Sequence, residues 1–266
     1  AVNATGNDFK VKDKLTPVIT IDVPDDVKVG DTIDIAVSSD GYNLTVWIND
    51  VKQDIVNDNI HYTVTADGIY TIYANTTEND EIYATEKTVI FEAVKKDVPF
   101  NITEIGVVYV GDDVTVVVTV PKGATGDITI EINGKKYTEA IDADGKATFT
   151  ILNVTYGNKT IAVDYIGDAN FTANHTTAQF EVIKRSSTII VNTTDITVDG
   201  NAIIDVAVPA NATGHVVVVI DGKEYNVNLT GGKGRLTVEG LAYGDYNITA
   251  TYLGDDQYLP SNNSAV

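Results

Sequence analysis

The chain repeats itself, and the repeat limits what it can fold into. Pro121-Lys-Gly-Ala-Thr-Gly126 matches Pro209-Ala-Asn-Ala-Thr-Gly214 at a spacing of 88 residues, and at that spacing Gly134-Lys135-Lys136-Tyr137 meets Gly222-Lys223-Glu224-Tyr225. After a one-residue deletion, Tyr156-Gly157 meets Tyr243-Gly244, and Tyr165-Ile-Gly-Asp168-Ala-Asn-Phe171 meets Tyr252-Leu-Gly-Asp255-Asp-Gln-Tyr258. The first third is a more divergent copy. It sets Val29-Gly30-Asp31 against Val110-Gly111-Asp112, and Asp80-Glu-Ile-Tyr83 against Asp168 to Phe171. Three copies of 81 to 89 residues are each long enough for one small domain with its own core.

Within each copy the hydrophobic pattern has a period of two. Ile128, Ile130 and Ile132 alternate with Thr129 and Glu131, and Ile161, Val163 and Tyr165 alternate with Ala162 and Asp164. Half-buried antiparallel strands read this way, and Thr, Val, Ile and Tyr suit a pleated surface. Asn133-Gly134 and Asp221-Gly222 lie between alternating runs, where a type I′ hairpin turn needs positive φ. The first copy has Asn49-Asp50 at that place and carries Trp47, the single tryptophan. Asp144-Gly145 and Gly231-Gly232 mark the next turn. About seven strand-like runs per copy predict an all-β chain of tandem immunoglobulin-like β-sandwiches.

The ends of the copies set the expected domain organisation. Phe91-Glu-Ala-Val-Lys-Lys96 and Phe180-Glu-Val-Ile-Lys-Arg185 close the first two copies. Phe9-Lys-Val-Lys-Asp-Lys14 has the same pattern, and the third copy's version falls near position 267. Residues 1–13 then read as the last strand of a preceding repeat, 14–96 as a divergent Ig-like repeat, 97–185 as an Ig-like repeat, and 186–266 as one lacking its last strand. The expected chain is a monomer with an open sheet edge at its back. A boundary cut and head-to-tail strand donation between molecules both account for such an edge. Four residues separate Lys96 from Asn101 and two separate Arg185 from Thr188. Such short linkers predict an extended, semi-rigid rod, on the order of 100 Å for three sandwiches end to end.

Composition narrows the chemistry. With 18 Lys plus Arg against 38 Asp plus Glu, the formal charge of −20 opposes binding to nucleic acid and to anionic membranes. The absence of cysteine removes disulfides, thiol catalysis and zinc–thiolate sites. His61, His175 and His215 are far apart and read as surface or core residues. No run approaches 18 apolar residues, and the methionine-free start at Ala1 reads as a fragment or a processed form, with any leader or anchor expected outside it. Asp25-Asp26, Asp112-Asp113, Asp168 and Asp255-Asp256 fall at turns, but no Asp-x-Asp-x-Asp-Gly calcium loop is present. The repeated Gly-Asp-x-x-Phe/Tyr instead predicts a carboxylate on turn amides and an aromatic ring in the core. Tyr137 and Tyr225 are expected to pack at the core or edge, with a sugar-stacking platform as the alternative. Thr103 and Gln179 are the one pair to check for an ester cross-link. No catalytic residue, cofactor site or metal site is expected, so the chain reads as a non-enzyme.

The richest candidate sites are Asn-x-Ser/Thr sequons at Asn3, Asn43, Asn75, Asn101, Asn153, Asn158, Asn170, Asn174, Asn192, Asn211, Asn228, Asn247 and Asn262. With 22 Asn and 40 Ser plus Thr in 266 residues, chance placement gives roughly 3 such triplets against the 13 present. Duplication does not account for the excess, because Asn158 aligns with Asp245, Asn170 with Gln257 and Asn174 with Ser261. They are read as glycan acceptors, which would add bulk and hydration to the outward faces.

Pro209-Ala-Asn-Ala-Thr-Gly214, Asp221-Gly-Lys-Glu-Tyr225, Ala242-Tyr-Gly-Asp-Tyr246 and Tyr252-Leu-Gly-Asp-Asp-Gln-Tyr258 resemble the bacterial-type immunoglobulin-like (Big) repeats of adhesin-like surface proteins in methanogenic archaea. The resemblance covers residues 97–266 well and 14–96 weakly. It implies an extracellular, cell-surface stalk or adhesion segment whose partners are a cell-surface glycan or a protein of another cell. A carbohydrate-binding module and an accessory region of a cell-wall hydrolase are the alternatives.

Overall fold

The computed structural model describes residues 12–41 and 43–265, which hold 22 strands and no helix. The first repeat has β1 (Ile19–Asp22), β2 (Thr32–Ser39), β3 (Thr45–Ile48), β4 (Val51–Gln53), β5 (Asn59–Thr63), β6 (Gly68–Thr76) and β7 (Thr85–Ala93). They form two sheets, ordered β1-β2-β5 and β4-β3-β6-β7. The second repeat has β8 (Asn101–Ile102), β9 (Val108–Tyr109), β10 (Val114–Thr119), β11 (Asp127–Ile132), β12 (Lys135–Ala140), β13 (Lys146–Ile151), β14 (Gly157–Tyr165) and β15 (Asn174–Ile183). Its sheets run β13-β10-β8 and β12-β11-β14-β15-β9. The third has β16 (Ile190–Asn192), β17 (Ala202–Ala207), β18 (His215–Ile220), β19 (Lys223–Asn228), β20 (Lys233–Val238), β21 (Ile248–Tyr252) and β22 (Ser261–Ala265), in sheets β16-β17-β20 and β19-β18-β21-β22. Each repeat is thus a three-stranded sheet facing a larger one, the immunoglobulin-like arrangement its length and strand count predict.

The period-two pattern decides which side faces in. In β2, Ile33, Ile35 and Val37 are buried while Thr32, Asp34 and Ala36 are exposed; in β11, Ile128, Ile130 and Ile132 are buried. A one-residue slip would turn every one of these apolar side chains to water, so the alternation itself pins the register. Asn133-Gly134 and Asp221-Gly222 have positive φ at both positions, and so does Asn49-Asp50 at 48° and 64°. The first hairpin therefore makes the same kind of turn without glycine. The Asn49 side chain helps, its Oδ1 accepting from the Thr71 amide at 2.9 Å.

One corner was not legible beforehand. The Tyr70 hydroxyl at the start of β6 donates to the Ala66 carbonyl at 2.9 Å and accepts from the Ala66 amide at 3.2 Å. Tyr246 donates to Ala242 O at 3.1 Å in the same way. This is the tyrosine corner of immunoglobulin-like folds, which ties the connection between sheets to the next strand. The second repeat uses Lys159, only 7% exposed, whose Nζ donates to Tyr156 O at 3.1 Å and Thr155 Oγ1 at 3.0 Å.

Three details depart from the sequence reading. The third repeat does not lack its last strand altogether, because β22 pairs along β21 from Tyr252–Ser261 to Ile248–Ala265. The largely polar run Asn174 to Gln179 is the first half of β15, and its copy begins at Ser261; with Ala178 as its one apolar residue it left no mark in the hydrophobic pattern. Asn79, not Asp80, is the counterpart of Asp168, and Leu15, not Lys14, is the counterpart of Lys96 (both shown by hydrogen bonds described below). The expected strand at residues 1–13 lies, up to Val11, outside the described residues. Packing also groups the chain differently from its repeats: loops 121–126 and 165–174 belong with the first repeat in one compact unit, and the rest of the second repeat belongs with the third in another.

Replacing Tyr70 by Phe keeps the ring but removes both hydrogen bonds of the corner. The first repeat should lose about 1 kcal/mol, read as a shift in its urea midpoint, and an unchanged midpoint would show that the corner is idle.

Candidate functional site

The feature repeated most faithfully is the loop that follows β6, β14 and β21. In the second repeat it turns through Gly167, at φ 83°, where an added Cβ would lie 2.8 Å from Ala173 N and Phe171 O. Only glycine fits there. Asp168 then closes the loop. Its Oδ1 accepts from the Asn170 and Phe171 amides, both at 2.8 Å, and its Oδ2 accepts from the Thr125 amide at 2.7 Å and hydroxyl at 2.9 Å. Phe171 is buried, as the Gly-Asp-x-x-aromatic spacing predicts. Asp255 repeats the set with Gln257, Tyr258 and Thr213. In the first repeat the acceptor is the neutral Asn79, whose Oδ1 takes the Glu81 and Ile82 amides at 2.8 and 2.9 Å.

Burial alone would raise the Asp168 pKa, but the Thr125, Asn170 and Phe171 hydrogen bonds outweigh it and hold the group at about 2. Asp255 is held at about 2 for the same reasons, with the Tyr252 hydroxyl adding to the effect. Burial first, and then the neighbouring carboxylate, pushes Tyr165 up to about 12, while its hydroxyl donates to Thr125 O at 2.9 Å. Tyr252 is raised likewise, and its buried hydroxyl makes no well-formed hydrogen bond.

The outer edge of each loop then grips the exit of the preceding segment. Lys96 N donates to Asn170 O at 2.8 Å and Thr172 N donates to Lys96 O at 2.9 Å. Arg185 is bracketed by Gln257 O and Leu259 N at 2.8 and 2.9 Å, and Leu15 by Glu81 O and Tyr83 N, both at 2.9 Å. Three junction residues thus take the same two backbone bonds, as short parallel bridges to Phe171, Tyr258 and Ile82. Side chains reinforce two of them. Lys95 Nζ donates to Asp168 O at 2.6 Å, and Lys184 Nζ donates to Asp255 O. Lys96 pairs with Asp31 at 3.0 Å; Arg185 pairs with Asp112, donates to Val110 O at 2.8 Å and lies 4.9 Å from the centre of the Tyr109 ring. The Lys96 ammonium is the main cause that lowers the Asp31 pKa, whereas for Asp112 the Tyr109 amide comes first and Arg185 second. The repeated Val-Gly-Asp triplets at 29–31 and 110–112 and the paired cations at 95–96 and 184–185 were the available signals.

The sequons do not converge on one place. Asn43, Asn101, Asn153, Asn158, Asn170, Asn174, Asn192, Asn211, Asn228, Asn247 and Asn262 are exposed, Asn75 is half-buried on β6, and Asn3 lies outside the described residues. His61 pairs with Asp34 across β5 and β2, and His175 with Asp164. Tyr137 and Tyr225 are half-buried, with Lys135 and Lys223 lying 4.7 and 4.9 Å over their rings. Thr103 and Gln179 are both exposed; Gln179 is on β15, and Thr103 follows β8 of the opposite sheet. Among the described residues no group of three or more His, Cys, Asp or Glu is placed to hold a metal ion. Two surface hollows are shallow. One, on the outer face of β16-β17-β20, is lined by Asn192, Asp205, Lys233 and Arg235; the other, on β21-β22, is lined by Thr249, Thr251 and Asn262 to Ser264.

Comparison with known proteins identifies the repeat. The family described as bacterial Ig-like domain (group 3) matches residues 103–183 and again 186–266. No curated protein is significantly similar. Among solved structures, a 1.5-MDa bacterial ice-binding adhesin is 16% identical over 95% of this chain and 97% of its own, at a TM-score of 0.33. A Ca²⁺-stabilised adhesin of an Antarctic bacterium is 18% identical over 95% of this chain and 72% of its own, at 0.30. The fibronectin(III)-like modules of Clostridium thermocellum CbhA are 17% identical over 62% and 94%, at 0.28. TM-scores this far under 0.5 establish neither a shared arrangement of repeats nor a shared role.

Because Asp168 and Asp255 titrate lower when folded than when unfolded, their stabilising contribution is complete above the ordinary pKa of 3.8 and disappears as pH falls towards about 2. In urea titrations the stability difference between the native chain and the double variant Asp168→Asn/Asp255→Asn should be largest at neutral pH and shrink across that window. A difference independent of pH would remove the carboxylates from the account.

Proposed function

Given that the chain belongs to the bacterial Ig-like domain (group 3) family, we propose that it is a stalk segment of an extracellular, adhesin-like surface protein, non-catalytic, presenting or mediating cell adhesion. The observation that carries this reading is the junction bracket at Leu15, Lys96 and Arg185, the same two backbone bonds each time. A stalk must pass load from one repeat to the next, and paired backbone bonds with an ion pair beside them suit that task better than a bare tether. Within a repeat, β9 and β15 run parallel, so tension between the ends of the sandwich would shear their hydrogen bonds together rather than open them one by one. The acidic surface and the exposed sequon asparagines fit a hydrated, glycan-bearing exterior. Resemblance to methanogen surface repeats extends the proposal to an archaeal cell wall, with a glycan or protein of another cell as the distal partner.

A sugar-binding module is the second reading, and Tyr243, 94% exposed, favours it. Two measurements separate them. Pulling single molecules should give three unfolding events, each releasing about 300 Å of chain at roughly 3.6 Å per residue; gradual extension without discrete events would refute the stalk. On a glycan array the stalk reading expects no preferred sugar, while millimolar or tighter binding lost in Tyr243→Ala would favour the module. Expression in a glycosylating host should add mass at the sequons, and an unmodified chain there would withdraw the glycan-bearing surface.

A further inference from the structure

In the first repeat the outer face of the sheet β4-β3-β6-β7 carries the single tryptophan. Trp47 of β3 and Tyr73 of β6 are register partners, and Lys52 and Thr88 complete their row on β4 and β7. The two rings are half-buried, with centres 5.6 Å apart and planes at 42°. Asn75 lies one row along. Residues two apart on a strand share a face at about 7 Å, so Asn75 stands beside Tyr73, between Thr45 and Glu86. The Tyr73 hydroxyl donates to Glu86 Oε2 at 2.9 Å, which leans the ring towards the Asn75 row. Ile90 and Ile69, 65% and 68% exposed, continue the apolar strip on the same face.

The other two repeats have neither half of this arrangement. The hairpin alignment puts Glu131 and Val219 at the place of Trp47, and Ala162 and Thr249 at that of Tyr73. Glu131 meets Lys136 across the hairpin at 3.7 Å, so this row of the second repeat is charged. At the place of Asn75 stand Asp164 and Thr251. Ring pair and acceptor are thus present together in one repeat and absent together in two. Among the other twelve sequons only Asn158 has an aromatic residue two positions before it. That residue, Tyr156, precedes its strand, and Lys184 Nζ lies 5.6 Å from the centre of its ring.

We propose that the first sugar carried by Asn75 seats on the Tyr73 and Trp47 rings, an inference that rests on the sequons being glycan acceptors. Attachment uses a glycan donor activated as a lipid pyrophosphate. The anomeric carbon of the sugar bonds to Asn75 Nδ2, the lipid pyrophosphate leaves with the bonding electrons, and the nitrogen gives up one proton. The pyranose then lays its C–H face on the aromatic surface, while its hydroxyls meet water and the Glu86 and Thr88 side chains. This covers apolar area that the sheet otherwise leaves wet. The Asn75 sugar is then part of the packing of the first repeat rather than a solvated appendage.

Trp47 is the single tryptophan, so its fluorescence reads the seat directly. The 266-residue chain is secreted from a eukaryotic host, where the sugar on asparagine is N-acetylglucosamine, and compared with Asn75→Gln from the same host. Peptide mapping should find sugar on Asn75. Acrylamide should quench Trp47 about twofold more slowly in the glycosylated chain, and its unfolding constant should be about fivefold lower, as for a ring stacked on an apolar face. In a Tyr73→Ser background the same comparison should show neither effect, and in Tyr73→Phe, which keeps the ring, it should show both. An Asn75 left bare while other sequons carry sugar overturns the proposal and leaves the glycan-bearing surface standing. So does an occupied Asn75 whose Trp47 is as open as in Asn75→Gln. Quenching relieved by free N-acetylglucosamine in Asn75→Gln but unaltered by attached sugar would give the face to an external glycan, and also overturns it. A chain with no sugar at any sequon removes both the seat and the glycan-bearing surface.

Discussion

A single accepting side chain holds each junction loop in shape, and the connection between repeats depends on that shape. Asp168 and Asp255 each gather three backbone amides and a threonine hydroxyl. With those donors satisfied, the next carbonyl and amide of the loop point outward and are free to bracket Lys96 or Arg185. A carboxylate suits this role because it accepts at both oxygens and gains strength from its charge. The first repeat manages with Asn79, which holds two amides with one oxygen. Its bracket closes on Leu15, with Lys14 turning instead to Glu78.

The rest of the architecture follows from simpler rules. Alternating side chains bury one face of each sheet, and two sheets of about seven strands enclose one apolar core in each repeat. The opposite faces are then free to vary. They carry cross-strand pairs such as Asp205 with Arg235 and Thr129 with Thr138, and some of the sequon asparagines, while Asn43, Asn153, Asn170, Asn211 and Asn247 sit in the connecting loops. Exposure does not by itself make these positions functional. Their excess over chance in the sequence does more, because neither packing nor duplication requires the Asn-x-Thr spacing.

Much of this was legible in the residues. The Ile128–Ile130–Ile132 alternation gave strand and face together, Asn133-Gly134 gave the hairpin, and the spacing from Asp168 to Phe171 gave both the loop and the buried ring. What escaped has a common cause. The junction bracket is made of backbone groups, so Leu15, Lys96 and Arg185 share a role with no shared side chain, and a register error of one residue at Leu15 and Asn79 passed unseen. The first half of the last strand is largely polar on both faces and left no periodic signal. At the corner before β14 a lysine does what a tyrosine does in the other two repeats, which hides the equivalence of Tyr70, Lys159 and Tyr246.

Backbone hydrogen exchange tests the central claim most directly, because it reads the bracket itself. The amides of Lys96 and Thr172 should exchange far more slowly than in an unstructured peptide. Asp168→Ala should release both while leaving Arg185 and Leu259, which belong to the Asp255 loop, protected. Fast exchange at Lys96 and Thr172 in the native chain, or protection there that survives the loss of Asp168, would contradict it.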